Sequence, residues 1–292
     1  MRLLFTFWLS CCILGPFPAY AWWETGHQTV ARIAVAHLSP EARAHAARIL
    51  GVEDTPQALA DALAAASTWA DETKAQTQTG SWHFIDLAVQ DDKTRIPLRC
   101  PDNNCAPARI RLFAAQLAAR QPVDSPWSDL DALRYVVHFV ADVHQPLHAV
   151  SDADLGGNCE QLDPPVEKAR NLHALWDGAL VDALNPDSRA LATELEARIE
   201  QMPSGEQSGM AAGNQDDWVW ESHELALQDI YTNLHIPTEP VLFPASCKVA
   251  PEAISSMALE IGNAYIDEMK PIVREQLIKA GLRLARLLNE SL

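Results

Sequence analysis

Between His138 and His148 the sequence reads HFVADVHQPLH. His138 and Asp142 are four residues apart, so on a helix they point the same way, one turn displaced, and both can reach one cation. Pro146 lies too deep for an undisturbed helix, so the helix is expected to kink or end near Gln145. That frees His148 to take a separate position. Downstream, NLHALWD repeats the four-residue step with His173 and Asp177. Upstream, TWADETK holds Asp71, and WHFID holds His83 and Asp86. One His-x-x-x-Asp pair is more often a surface helix pair than a ligand set. Two such pairs, each embedded in apolar sequence, carry more weight. His138 lies between Val137 and Phe139, while Leu172, Leu175 and Trp176 surround His173 and Asp177. Imidazoles and carboxylates are costly to bury there unless something satisfies them. A mixed nitrogen and oxygen donor set suits zinc.

Helices must position these groups. The pattern is helical almost throughout, with no convincing alternating strand. HQTVARIAVAHL places Val30, Ile33, Ala34 and His37 on one face. Ser39-Pro40-Glu41 and Thr55-Pro56 are caps followed by a proline at the first helical position. Further helices are expected near 107–120, 129–145, 171–184, 188–202, 215–231 and 252–268. In a final helical segment, PIVREQLIKAGLRLARLLN, Ile272, Val273, Gln276, Leu277, Ala280, Leu284 and Leu288 form one core-facing stripe. Loops are expected near 88–106, 149–170, 203–214 and 233–251. Without repeats or a long linker, the expected fold class is all-α, in one domain.

Residues 1–21 have the pattern of a secretory signal peptide: Arg2, the apolar LLFTFWLSCCILG, and the small-residue site Ala19-Tyr20-Ala21. A lipid anchor at Cys11 or Cys12 is the competing expectation, and those cysteines lie early for it. Cleavage after Ala21 leaves residues 22–292 as the mature domain, which is expected outside the cytoplasm, secreted or periplasmic, without stable membrane association. Cys100, Cys105, Cys159 and Cys247 remain, and three pairings are open to them. Cys100 and Cys105 bracket the turn-rich PDNN and are expected to pair, which leaves Cys159 for Cys247. The formal net charge is −17, whereas binders of duplex nucleic acid normally present a basic face. Charge alone argues against polyanions unless cations concentrate in one place.

In this order, Trp22, His27, WAD, WHFID, HFVADVHQPLH and NLHALWD resemble the zinc-dependent single-strand-specific nuclease and 3′-nucleotidase family of the nuclease P-one type. WVWESHELA and QLIKAGLRLARLLN add weaker similarity. The resemblance implies a mostly helical fold related to zinc phospholipase C, with three Zn²⁺ in a cleft. One ion would be held by Asp71, His83, His138 and Asp142, and a second by His148, His173 and Asp177. The third would use Asp142 again, His27, and the α-amino nitrogen and carbonyl oxygen of Trp22. It further implies that Phe84 stacks on a base and that Asp86 accepts hydrogen bonds from the base edge. The alternative for Phe84 is plain core packing. Lys74 stands where the family often has arginine, three residues after Asp71; it keeps the charge near phosphate and loses the bidentate fork. The expected catalytic residues are Asp71, Asp142 and Lys74. The substrates implied are single-stranded RNA and DNA, cut to 5′-nucleotides, and 3′-nucleotides, for a monomeric enzyme.

Two other functions compete with this one. A zinc-dependent phospholipase C is less favoured by the Trp22 to His27 spacing, by Asp at 177 and by WHFID. A non-catalytic zinc-binding protein needs no shared carboxylate. His144 is a candidate supporting partner, His37 and His45 read as ordinary helix residues, and His223 and His235 have no assigned role. Asn289-Glu290-Ser291 is the lone glycosylation sequon.

Overall fold

A computed structural model of the chain describes residues 22–119, 124–237, 246–249 and 258–292. The expected signal peptide lies outside the described residues. Helices dominate: α1 (Glu24–Ala36), α2 (Pro40–Leu50), α3 (Pro56–Ala66), α4 (Trp69–Thr77), α5 (Ala106–Leu117) and α6 (Asp129–Asp142) form the first half. The two anticipated caps are present, with the Ser39 side chain accepting from Ala42 N–H and that of Thr55 from Ala58 N–H, each ahead of a proline. A capping box between Ser128 and Asp131 starts α6.

After α6 a 3₁₀ turn, Pro146–Ala149, replaces the helix. The expected 171–184 helix is α7 (Leu172–Ala174) and α8 (Leu180–Asp182), joined by a π-helical turn, Leu175–Ala179. Then come α9 (Ser188–Gln201), α10 (Ser204–Met210) and α11 (Gln215–Leu225), which continues into a π-helical Ala226–Tyr231. The last helix, α12 (Asn263–Ser291), packs against α1. Their crossing depends on Gly281, where a Cβ would meet Ile33 Cγ2 at 2.4 Å. Val30, Ile33 and Ala34 are fully buried there, as their spacing predicts. On the other side, α5 packs on α6, with Phe113 stacked on Tyr135 at 4.8 Å.

Three expectations need correction. The 149–170 stretch is not all loop: β1 (Gln161–Val166) and β2 (Ala169–Asn171) form an antiparallel pair. β3 (Ala258–Leu259) joins β1 in parallel, giving the order β2-β1-β3. Ala258 and Leu259 therefore do not belong to a 252–268 helix, the described part of which begins at Asn263; residues 250–257 lie outside the described residues. Leu162 and Leu259 are buried and paired in register, so a short inward contact, too brief to show alternation, fixes this sheet. Third, the 203–214 loop contains α10. Cys100 pairs with Cys105, and Cys159 with Cys247, at Cα–Cα distances of 5.4 and 5.1 Å. Among the described residues no helix is long and apolar enough to cross a membrane.

Candidate metal centre

The end of α6 brings the central pair together as the four-residue step requires. His138 and Asp142 are both completely buried, with Nε2 3.3 Å from Oδ2. A 3₁₀ turn, Gly80–His83, delivers His83, whose Nδ1 lies 3.1 Å from Asp142 Oδ2 and 3.5 Å from Asp71 Oδ1. Asp71, in the first turn of α4, is 3.7 Å from His138 Nε2. The other carboxylate oxygen of Asp142, Oδ1, faces His27 Nε2 of α1 at 3.4 Å. His27 and His138 stack with ring centroids 4.0 Å apart. Asp142 thus stands between two groups of donors.

A third group is assembled by the turn that ends α6 and by the π-helical turn. His148 Nε2 is 3.5 Å from Asp177 Oδ1, and His173 Nε2 is 3.3 Å from Asp177 Oδ2. Among the described residues, three groups have ligand atoms all within 4.8 Å of one another: His27, His138 and Asp142; Asp71, His83 and His138; His148, His173 and Asp177.

Several of these rings are oriented from behind. Nδ1 of His138 donates to Ser67 O at 2.6 Å, that of His148 to His83 O at 2.9 Å, and that of His173 to Gly156 O at 2.6 Å. Each such bond fixes the tautomer and turns Nε2 toward the cluster, the usual arrangement behind a ligating histidine. Gly156 has a positive φ of 62°, and a Cβ on it would lie 2.5 Å from Leu147 O. Only glycine fits this support.

The donor set fits metal ions. Nε2 of His27 and His148, Oδ1 of Asp142 and Oδ2 of Asp177 are buried and make no hydrogen bond. Native proteins rarely leave so many polar atoms unpaired in one place. Electrostatics agree. Burial works against charge on His138, but Asp142 and Asp71 overcome it and raise its pKa to about 9. Burial likewise opposes ionisation of Asp142, yet His138 and His83 hold it well below the usual carboxylate range. Burial and then the neighbouring His138 depress His27. The cluster therefore stabilises positive charge while keeping spare imidazole lone pairs.

The remaining expected site residues surround this cluster. Lys74 Nζ donates to Asp71 Oδ1 at 2.9 Å. Phe84 has an extended backbone held by Ala106 N–H, which donates to Phe84 O, yet its side chain is 37% exposed. Exposure of that size weighs against plain core packing. Asp86 is half-buried, and burial, followed by the charge of Asp154, raises it to about 6. Trp22 is fully buried, its Nε1 donating to Ala141 O at 2.9 Å, one residue before Asp142.

His144, the candidate supporting partner, is bonded to none of the donor groups. Its Nδ1 donates to Val140 O, and Nε2 accepts from Arg283, which is held in turn by two bonds to Glu221. The unassigned His223 donates from Nδ1 to Ala149 O, beside His148, whereas His235 is exposed. Sequence reasoning missed Gln145, whose Nε2 donates to Asp177 Oδ1 at 2.5 Å while its Oε1 accepts from Leu147 N–H. Its only signal was its place beside Pro146. It also missed Gly156, for which the Gly156-Gly157 pair was the clue.

Known proteins share this framework. A family model described as S1/P1 Nuclease matches residues 22–292. Nuclease S1 of Aspergillus oryzae is 29% identical over 282 residues, covering 92% of this chain and 91% of that protein. Nuclease P1 of Penicillium citrinum is 27% identical over 282 residues, covering 92% and 97%. Endonuclease 3 of Arabidopsis thaliana is 26% identical over 278 residues, covering 93% and 89%. With a match across every group of the centre, the chain belongs to the S1/P1 nuclease family and is a hydrolase acting on ester bonds.

Proposed function

We propose that the mature protein, residues 22–292, is a secreted or periplasmic zinc-dependent endonuclease. It hydrolyses single-stranded RNA and DNA to 5′-nucleotides, removes the phosphate of 3′-nucleotides, and acts as a monomer. Residues 1–21 are its cleaved signal peptide. The observation that carries the zinc assignment is the position of Asp142, with one oxygen toward His27 and the other toward His83 and His138. Three Zn²⁺ would be held by Asp71, His83, His138 and Asp142; by His148, His173 and Asp177; and by Asp142, His27 and the terminal amine and carbonyl of Trp22. When bound, such ions supply Lewis acidity that activates water near neutral pH and neutralises charge on a phosphoryl group. They also answer the charge objection, since cations gathered in one cleft attract a phosphodiester to a protein of net charge −17.

The chain's own residues choose and orient the substrate. The exposed ring of Phe84 offers a stacking face to an unpaired base, which a duplex does not present. Asp86, above its pKa of about 6, accepts hydrogen bonds from the base edge. Lys74, beside Asp71, places a cation near the phosphate.

The terminal chelate provides the test. A free α-amine becomes a donor once deprotonated, whereas an amide nitrogen is a very poor ligand at neutral pH. A cytosolic version with Met retained before Trp22, made where its disulfides can form, should bind about two Zn²⁺ and cleave single strands far more slowly. Trimming to Trp22 should restore both properties, and trimming to Trp23 should not. Equal zinc content and activity in the extended and trimmed proteins would refute the assignment.

A further inference from the structure

Residue 22 is followed by a second tryptophan that belongs to none of the three donor groups. Trp23 nevertheless joins two of them. Its N–H donates to the carbonyl of Asp177 at 2.6 Å, and its own carbonyl accepts from Gly26 N–H and His27 N–H at 2.9 and 3.3 Å. The backbone of one residue therefore connects that of His27 to that of Asp177. The indole lies on Gly178, where a Cβ would fall 1.8 Å from Trp23 Cδ2 and 2.0 Å from Cε3. The neighbouring chain cannot yield easily, because residue 178 is buried in the π-helical turn that carries Asp177. Two residues on, Thr25 Oγ1 donates to Asp182 Oδ1 at 3.1 Å, at the end of α8. On the opposite side Trp22 is pinned to α6 through Ala141 O. Gly26 permits the turn between these anchors, since a Cβ there would meet Trp22 Cβ at 2.8 Å.

Chain ends fray unless tied down, and a terminus that chelates must be held before the metal arrives. We infer that Trp23 is a positioning residue: its indole on Gly178 and its amide on the Asp177 carbonyl hold residue 22 and His27 in register with Asp142. The inference rests on the chelating role proposed for the Trp22 terminus. It makes Gly178 the other half of the device, because only a residue without Cβ lets the ring close. Metal binding at His27 and Asp142 then depends on a contact to which neither residue contributes a side chain.

The test is a double-mutant cycle on the mature protein beginning at Trp22, read as zinc stoichiometry and as the affinity of the weakest zinc in competition with a chromophoric chelator. Gly178→Ala should weaken that zinc at least tenfold and leave two tightly bound. Trp23→Ala, which keeps the amide bond but loses the ring, should also weaken it about tenfold. The double variant should match Trp23→Ala alone, since the added methyl then meets no indole. A general effect of alanine on the π-helical turn would not produce that pattern. Multiplying losses in the double variant, or a Gly178→Ala protein with three zincs at wild-type affinity, overturns the inference. If Gly178→Ala fails to fold, the double variant should recover both folding and two tight zincs; failure of that recovery also overturns it. A wild-type mature protein with only two zincs would instead refute the terminal chelate itself.

Discussion

Glu160 should make the protein less stable as pH rises, and removing its charge should reverse this. Its side chain is 1% exposed, beside the Cys159 disulfide, and Oε1 makes no hydrogen bond. Burial first, then the charges of Asp154 and Asp152, raise its pKa to about 8. In an unfolded chain a glutamate titrates at about 4.3. Between those two values the native state keeps a proton that the unfolded state has released, so stability falls as pH increases. Below the lower value both states are protonated and nothing is lost. A gap of about 3.7 units at about 1.36 kcal/mol each sets a ceiling of about 5 kcal/mol. Local rearrangement and water entry around an ionised carboxylate bring the expected loss to about 2–4 kcal/mol. Glu160→Gln keeps the shape and cannot ionise. Thermal unfolding of both zinc-saturated, disulfide-intact proteins from pH 5 to 9 isolates the carboxylate, because the metal's own pH dependence is common to the two. The variant should match wild type within about 1 kcal/mol at pH 5 and unfold about 5–10 °C higher at pH 9. Parallel curves over the whole range, or wild type gaining on the variant as pH rises, would refute the reasoning.

Asp142→Asn keeps the shape of the shared residue and removes its charge; zinc content should fall and turnover on single strands should drop by about two orders of magnitude or more. Near-wild-type turnover of the pure variant would rule out Asp142 as the common ligand. Phe84→Ala should weaken binding of nucleotide substrates by about 1–3 kcal/mol and spare hydrolysis of a small diester lacking a base, as measured by KM and kcat on both. Equal losses on the two would make Phe84 a packing residue.

Periodicity made the helical part of the site readable before any coordinates. The steps from His138 to Asp142 and from His173 to Asp177 need only a helix to become contacts, and Pro146 announced that His148 would leave that helix. Caps at Ser39 and Thr55 were equally plain, since a cap is a local hydrogen bond with a local sequence. What escaped depends on contacts between distant segments. β1 and β3 are separated by a long stretch of chain and pair over two residues, too few for alternation to appear. The π-helical turn at Leu175–Ala179 keeps the composition of an ordinary helix and shifts only its hydrogen bonds. Gln145 looked like a helix-end residue, and its bond to Asp177 exists only after α6 and the π-helical turn have met. The exposure of Phe84 could not be read from WHFID, because the same five letters would serve a buried ring.

The packing of α1 on α12 also ties the metal centre to a distant part of the chain. α1 carries His27 and is seated on α12 through Ile33 on Gly281. α1 also packs on α3 and α9, so His27 is held against Asp142 by helices from widely separated parts of the chain. Loosening that seam should therefore be felt at His27, which makes the C-terminal helix a support of the metal centre although none of the three donor groups draws on it.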